Sequence, residues 1–362
     1  MSDSMIRFES VADITRWLNQ FEHPWLHEEW ADTPNWVSVS ATGTISVVFP
    51  FAAATVVELL EQWIFSQQQA NHIPAEAKFA LSCRVAPLAA GEKQPLRGVK
   101  NIVVVSSAKG GVGKSTTAVN LALGLQAQGA KVGLLDADIY GPSVPMMLGA
   151  TDEKPQSTDG KHMLPVESCG LYTNSIGYLV PAENAAIWRG PMASKALSQI
   201  VMETWWPDLD YLVIDMPPGT GDIQLTLAQQ IPVTGAVVIT TPQDLALADA
   251  IKGVSMFNKV DVPVVGVVEN MSYHICSQCG HHEPIFGTGG AERMAKEYAV
   301  PLLAQLPLHI KIREDIDQGK PTVAASPESE QAQTYIELAG NVASRLYWQG
   351  TPVAEQITIR TM

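Results

Sequence analysis

The sequence predicts an α/β chain, a doubly wound parallel sheet preceded by a small α+β domain, and three observations carry that prediction. From residue 100 onward, short apolar runs alternate with segments of helical periodicity, the pattern of parallel strands joined by crossover helices. The first of these runs, 101–105, leads into a glycine-rich loop and then a segment, 116–128, of helical character that Gly129 ends. Residues 1–85 look different: they hold five of the nine tryptophans and two strand-like stretches.

Within that first unit, 36–40 alternates and 45–49 is strand-like, while 52–66 places Val56, Leu59, Leu60 and Trp63 at helical spacing. Its tryptophans (Trp17, Trp25, Trp30, Trp36, Trp63) are expected in a core rather than on a binding surface. Residues 86–99, rich in Ala, Pro and Gly, are expected to be a linker, 100–350 the main domain, and 351–362 a tail. Further strands are expected at 131–135, 171–175, 211–214, 236–240, 264–268 and 302–305. Helices are expected at 193–203, 223–229, 245–257, 291–298, 310–318 and 331–347. The stretches 150–168 and 272–287 are expected to be long loops, and loops of that length in an α/β domain tend to carry function.

At 362 residues the chain is long enough for two domains, and its 46 % hydrophobic and 17 % charged residues are those of a globular protein. No apolar run is long enough to span a bilayer, and the N-terminus lacks the pattern of a signal peptide, so a cytoplasmic location is expected. Net charge is −14, shared as −5 over residues 1–97 and −9 over the remainder. Neither part offers the basic stripe of a nucleic-acid binder. Of four cysteines, Cys83 and Cys169 are isolated and expected to be small core residues.

The glycine loop is Ser107-Ala108-Lys109-Gly110-Gly111-Val112-Gly113-Lys114-Ser115-Thr116. Between a strand and a helix, small residues let successive N–H groups wrap an anion, and the helix N-terminus adds partial positive charge. Lys114 would reach the β- and γ-phosphates and Ser115 would ligate Mg²⁺, which makes residues 100–350 a P-loop NTPase domain. Ala108 stands where the strict pattern has glycine. Lys109 is a second lysine, and beside a triphosphate it needs another anion, such as a nucleotide in a facing subunit. Downstream, Asp136-Ala137-Asp138 ends one strand, with both carboxylates on one face. One of the two would organise Mg²⁺ and the other orient the attacking water. Asp215 ends the apolar run 211–214 as a Walker-B acid for Mg²⁺, and Pro217-Pro218-Gly219-Thr220-Gly221 is suited to a γ-phosphate switch.

The lysine-first loop, Asp136-Ala137-Asp138-Ile139-Tyr140-Gly141-Pro142-Ser143, Asp215-Met216-Pro217-Pro218-Gly219-Thr220-Gly221-Asp222 and Glu269-Asn270-Met271-Ser272 together resemble the Mrp (ApbC) family over about residues 98–345. That family consists of P-loop ATPases that carry iron–sulfur clusters and are related to MinD, ParA and the nitrogenase iron protein. The resemblance implies a homodimer with ATP at the subunit interface. It implies that Lys109 crosses to the partner's nucleotide, that Asp138 positions the hydrolytic water, and that Asn270 contacts adenine. Residues 1–85 are similar to the small α+β domain of many members, whose Pro-Cys turn is here Phe49-Pro50-Phe51-Ala52-Ala53, without cysteine.

Cys276-Ser277-Gln278-Cys279-Gly280-His281-His282 offers two thiolates in one turn. Two chains would supply the four thiolates that a [4Fe–4S] cluster takes, and in the resembling family this pair is the cluster site. A Zn²⁺ site with His274, His281 or His282, or a dithiol redox pair, are the alternatives. The leading expectation is an ATP-hydrolysing carrier that binds a [4Fe–4S] cluster across a homodimer and passes it to apo iron–sulfur client proteins. Its hydrolysis is expected to be slow, since no built-in arginine finger is identifiable. A positioning ATPase of the ParA or MinD type is the alternative. It is disfavoured by the acidic charge and by a C-terminal segment, 351–360, with a single basic residue, so neither nucleic acid nor membrane is an expected partner.

Overall fold

The computed structural model describes residues 6–179 and 190–353. The expected tail beyond residue 353 lies outside the described residues. The described residues form two sheets. The small one contains β1 (Val37–Val39), β2 (Ile45–Phe49) and β3 (Phe79–Cys83), with β1 antiparallel and β3 parallel to β2. The helix Ala54–Gln69 makes the crossover between β2 and β3. A helix at Val11–Leu18, unforeseen from the sequence, starts at a capping box: Asp13 N–H donates to Ser10 Oγ, and Asp13 accepts from Ser10 N–H.

The large sheet is built from β4 (Val99–Ser106), β5 (Val132–Asp136), β6 (Val166–Ser168), β7 (Leu171–Ser175), β8 (Leu209–Asp215), β9 (Gly235–Thr240), β10 (Val264–Ile275), β11 (His282–Glu283) and β12 (Leu302–Leu308). Its order is β11-β10-β9-β4-β8-β5-β7-β6, with β12 also on β10; only β6 and β11 run antiparallel to their neighbours. Strand alternation sends residues to two cores. Val103 and Val105 face the helices Lys114–Ala127 and Glu330–Gln349, while Ile102 and Val104 face Gly190–Glu203, Asp222–Gln230 and Asp244–Lys259. Helices on both faces make it doubly wound, as the alternating pattern predicts.

Residues 6–85 share the first of these cores. Trp17, Trp25, Trp30 and Trp36 are buried and Trp63 is half-buried against them. The Trp25 carbonyl accepts from Ser344 Oγ (2.6 Å) and Trp348 Nε1 (3.1 Å), and Trp36 Nε1 donates to the Tyr347 hydroxyl (3.3 Å). Residues 86–99 lie along the large sheet, with Leu88 and Leu96 buried and Lys93 Nζ donating to the Ala228 and Ile231 carbonyls at a helix C-terminus (2.7 and 3.1 Å). Cys169, expected in a core, is exposed on the β6–β7 turn at φ +50°, because a two-strand turn at the sheet edge leaves it nothing to pack on. The stretch 272–287 is not one long loop: β10 runs on to Ile275 and β11 returns beside it as a short hairpin.

Candidate functional site

The strand order gathers the site. β4, β8 and β5 are neighbours in register, with Val105 opposite Asp215 and Asp215 opposite Asp136, so the glycine loop and the strand-end carboxylates emerge together at one edge. The loop 107–113 connects β4 to the helix Lys114–Ala127. Gly111 and Gly113 both sit at φ +82°, where L side chains are strained. Lys109, Gly110 and Gly111 are exposed at its apex; Ala108, Gly113, Ser115 and Thr116 are half-buried; Val112 is buried beneath. Ser107 Oγ donates to the Lys109 carbonyl (2.9 Å), and the Ser107 carbonyl accepts from Gly219 N–H (2.8 Å), joining the loop to the proline-rich turn after β8.

Lys114 lies inside this edge, 6 % exposed. Its Nζ is paired with Asp215 Oδ1, lies 3.1 Å from Ser115 Oγ and stands 4.0 Å from Asp138 Oδ2. Asp215 is fully buried, and burial raises its carboxyl against the opposing pull of Lys114. Among the described residues, its Oδ2 has no hydrogen-bond partner. Asp138 is also raised by burial, and it lines a cavity of about 270 Å³ with Tyr140, Pro217, Pro218 and Asp222. Gln224, which sequence reasoning missed, fixes the far side of that cavity by donating to the Pro217 and Pro218 carbonyls (3.1 and 2.6 Å).

Two side chains stand differently from expectation. Asp136, expected at the metal edge, is fully buried and accepts from Asp138 N–H (3.1 Å), Ser143 N–H (2.9 Å), Val144 N–H (3.1 Å) and Ser175 Oγ (3.1 Å). It pins the loop that carries Asp138. Burial first, then the Asp215 charge, push its carboxyl up to about 7. Asn270, expected to face adenine, is buried behind the glycine loop. Its Nδ2 donates to the Val112 carbonyl (2.8 Å) and its Oδ1 accepts from Met271 N–H (3.0 Å). A Cβ on Gly113 would lie 2.1 Å from that Nδ2, so glycine is what lets β10 approach the loop.

Cys276 and Cys279 sit at the tip of the β10–β11 hairpin, Cys276 half-buried and Cys279 exposed. Cys276 N–H donates to the His281 carbonyl (3.0 Å), and Gly280 N–H donates to the Cys276 carbonyl (2.8 Å) with Gly280 at φ +69°. The backbone N–H groups of Gln278 and Cys279, then the Cys279 thiol, hold the Cys276 thiol below its usual range. His274 Nδ1 lies 3.2 Å from the Leu308 carbonyl, and His282 stacks on Tyr273. Among the described residues, no group of three or more His, Cys, Asp or Glu side chains gathers to hold a metal ion.

A glycine loop between strand and helix, a buried lysine at its end and an acid ending the neighbouring strand define a P-loop nucleoside triphosphatase. The family described as ParA, NUBPL iron-transfer P-loop NTPase, matches residues 98–343, and the chain belongs to that family. A Salmonella typhimurium relative named iron-sulfur cluster carrier protein is 57 % identical over 97 % of this chain and 96 % of its own. A Dictyostelium discoideum relative named iron-sulfur cluster transfer protein NUBPL is 47 % identical over 71 % of this chain and 81 % of its own. Among solved structures, a nucleotide-binding protein from Archaeoglobus fulgidus in complex with ADP is 33 % identical, with a TM-score of 0.57 over 66 % of this chain and 93 % of its own. The MinC:MinD cell division complex of Aquifex aeolicus shares the fold at 20 % identity, with a TM-score of 0.50 over 70 % of this chain and 98 % of the MinC:MinD chain.

Proposed function

We propose that this chain is an ATP-hydrolysing iron–sulfur cluster carrier that holds a [4Fe–4S] cluster between two copies of itself and passes it to client apo-proteins. The observation that carries this reading is the Cys276/Cys279 hairpin. It offers two thiols at an accessible tip, with no further ligand gathered around them among the described residues. A second copy related by two-fold symmetry supplies the missing pair. The family and the names of its relatives agree with such a cargo.

ATP is the triphosphate of this reading. Loop N–H groups 108–116 and Lys114 take its phosphates, and Lys109, exposed at the loop apex, reaches the nucleotide of the partner. The unpartnered Asp215 Oδ2 and the adjacent Ser115 hydroxyl fit a hydrated Mg²⁺, which when bound would neutralise charge on the phosphate oxygens. Asp136 serves that end of the site by holding its loop in place. Asp138 orients the water that attacks the γ-phosphorus, lying beside Lys114 and at the wall of the adjoining cavity. Asn270 backs the loop that binds the nucleotide. No helix among the described residues is long and apolar enough to cross a membrane, and the acidic charge disfavours nucleic acid; a cytoplasmic carrier is consistent with both.

The test is anaerobic reconstitution with iron and sulfide. Wild-type protein is expected to take up about four irons per dimer with broad visible absorption, and Cys276→Ala/Cys279→Ala is expected to take up none. A wild type that stays colourless, or binds zinc alone, removes the carrier reading and leaves a P-loop ATPase.

A further inference from the structure

The phosphate loop and the cysteine hairpin are served by one strand. β10 passes behind the loop at Asn270 and delivers Cys276 six positions later, about 20 Å along an extended strand. Between those points the strand is not regular. Met271 has φ +56°, in the left-handed region, and the pairing with β12 shifts register between Glu269 and Tyr273. The irregularity is clamped. Glu269 is buried and its carboxylate accepts from Ala291 N–H (3.0 Å), Gln305 Nε2 (3.0 Å) and Ser272 Oγ, so the residues on either side of the kink are tied together. Beyond it, Tyr273 and His274 rejoin β12 and Ile275 pairs with His282.

We propose that Met271 is a positioning residue that couples occupancy of the nucleotide loop to the geometry of the Cys276/Cys279 hairpin. The proposal rests on the carrier reading above. Asn270 is the contact: its amide holds the Val112 carbonyl on one side and receives Met271 N–H on the other, so a shift of the loop is passed to the Met271 peptide. The methionine side chain also faces the loop, its Cε lying 3.9 Å from where a Gly113 Cβ would stand. Met271 is held in a left-handed conformation that disfavours an L residue, so a change to extended backbone there would relieve strain. Changing between the two alters the register of the rest of the strand, and in a β-strand a one-residue slip exchanges the faces of its side chains. The hairpin that bears the thiols lies at the end of that stretch, so its geometry changes with the register.

The experiment uses full-length protein without cluster and reads the alkylation rate of Cys279 relative to Cys169, with and without a non-hydrolysable ATP analogue. Cys169 is exposed on the β6–β7 turn at the opposite edge of the sheet and serves as an internal reference. In the wild type the Cys279/Cys169 ratio is expected to change at least about fivefold on nucleotide binding, the lower end of ordinary coupling between two sites. Met271→Asn tolerates the left-handed conformation and keeps the response. Met271→Val, whose branched side chain resists it, loses the response at saturating nucleotide, with binding confirmed by a fluorescent analogue. Should the valine variant not fold, Ser272→Ala, which cuts the clamp to Glu269, carries the same prediction. A wild-type ratio indifferent to nucleotide, or a valine variant that responds like the wild type, overturns the proposal. Because the ratio is read without cluster, failed reconstitution would remove the carrier reading by a separate measurement.

Discussion

Lys114→Met separates the cost of a buried charge from the cost of lost packing. Methionine keeps the apolar stem and removes the ammonium group. Asp215 is then left fully buried, with Oδ1 stripped of Lys114 and Oδ2 without a partner among the described residues. Breaking a buried pair in this way costs about 3–5 kcal/mol if the carboxylate stays charged. It has an alternative, which is to take a proton. An ordinary carboxyl titrates near 3.9, so protonation at pH 7 costs about 4 kcal/mol and each unit of lower pH reduces that by about 1.4 kcal/mol. At neutral pH the two routes are close; in mild acid protonation wins. The direction of the shift sets the sign. Burial already raises the Asp215 carboxyl and Lys114 opposes the rise, so removing Lys114 raises it further. Stability from a raised carboxyl is present below its ordinary range and is lost as pH rises towards the folded-state value. Asp136 changes in the same sense, because Lys114 lowers it too, and this steepens the slope. Urea unfolding of wild type and variant at about pH 5.5, 7 and 8.5 should therefore show a gap that widens with pH, by about 1.4 kcal/mol per unit where the proton is being lost. A gap that is constant across the series, or absent, refutes the reasoning.

Gly113→Ala meets both a φ of +82° and the Asn270 amide at 2.1 Å, so strain and a displaced hydrogen bond together cost about 2–3 kcal/mol. Urea unfolding should show a loss of about that size, and an unchanged stability would mean that the loop does not need its contact with β10. Gly340→Ala should lower the unfolding temperature even though alanine is the better helix former by about 1 kcal/mol, because its Cβ would lie 2.0 Å from the Trp25 ring. A variant that melts higher than the wild type would show that Trp25 is free to move aside.

Much of the large sheet was legible because local signals agree there. The apolar runs before residues 107 and 215 are short, buried on both faces and end in residues with one chemical use, so strand, loop and helix could be placed without tertiary knowledge. The misses have particular causes. The helix Val11–Leu18 carries its signal in Ser10 and Asp13, a capping box that is easily passed over among the tryptophans. β3, Phe79–Cys83, alternates in burial but comes after a turn-rich segment that masks its start. The extension of β10 to Ile275 is hidden because the kink at Met271 breaks the alternation on which strand recognition depends. Asp136 and Asn270 can be placed on the chain but not in space: the donors that occupy Asp136 come from residues 138–175, and the Asn270 contact is with Val112, 158 positions away. A side chain's hydrogen-bond partners at that range are a property of the fold.

The same arrangement explains how the chain keeps so many ionisable groups inside one sheet edge. Lys114, Asp215 and Asp136 are all buried, and an unpaired charge among them would favour local unfolding. Lys114 neutralises Asp215, and Asp136 is satisfied by N–H donors of its own loop and by the Ser175 hydroxyl on β7. In the proposed cycle, binding Mg²⁺ and a triphosphate would exchange partners rather than create charge: Lys114 would turn to phosphate oxygens as Asp215 turned to the hydrated cation. Lys114 and Asp215 would each have a counter-charge before and after. Lys114 follows the loop 107–113 directly, so in the proposed cycle the loop would adjust as Lys114 changes partner. The hydrogen bond from Asn270 to Val112 is then the contact through which that shift would leave the site. In the proposed coupling the buried pair would fix the two states and β10 would carry the difference between them to the cysteines.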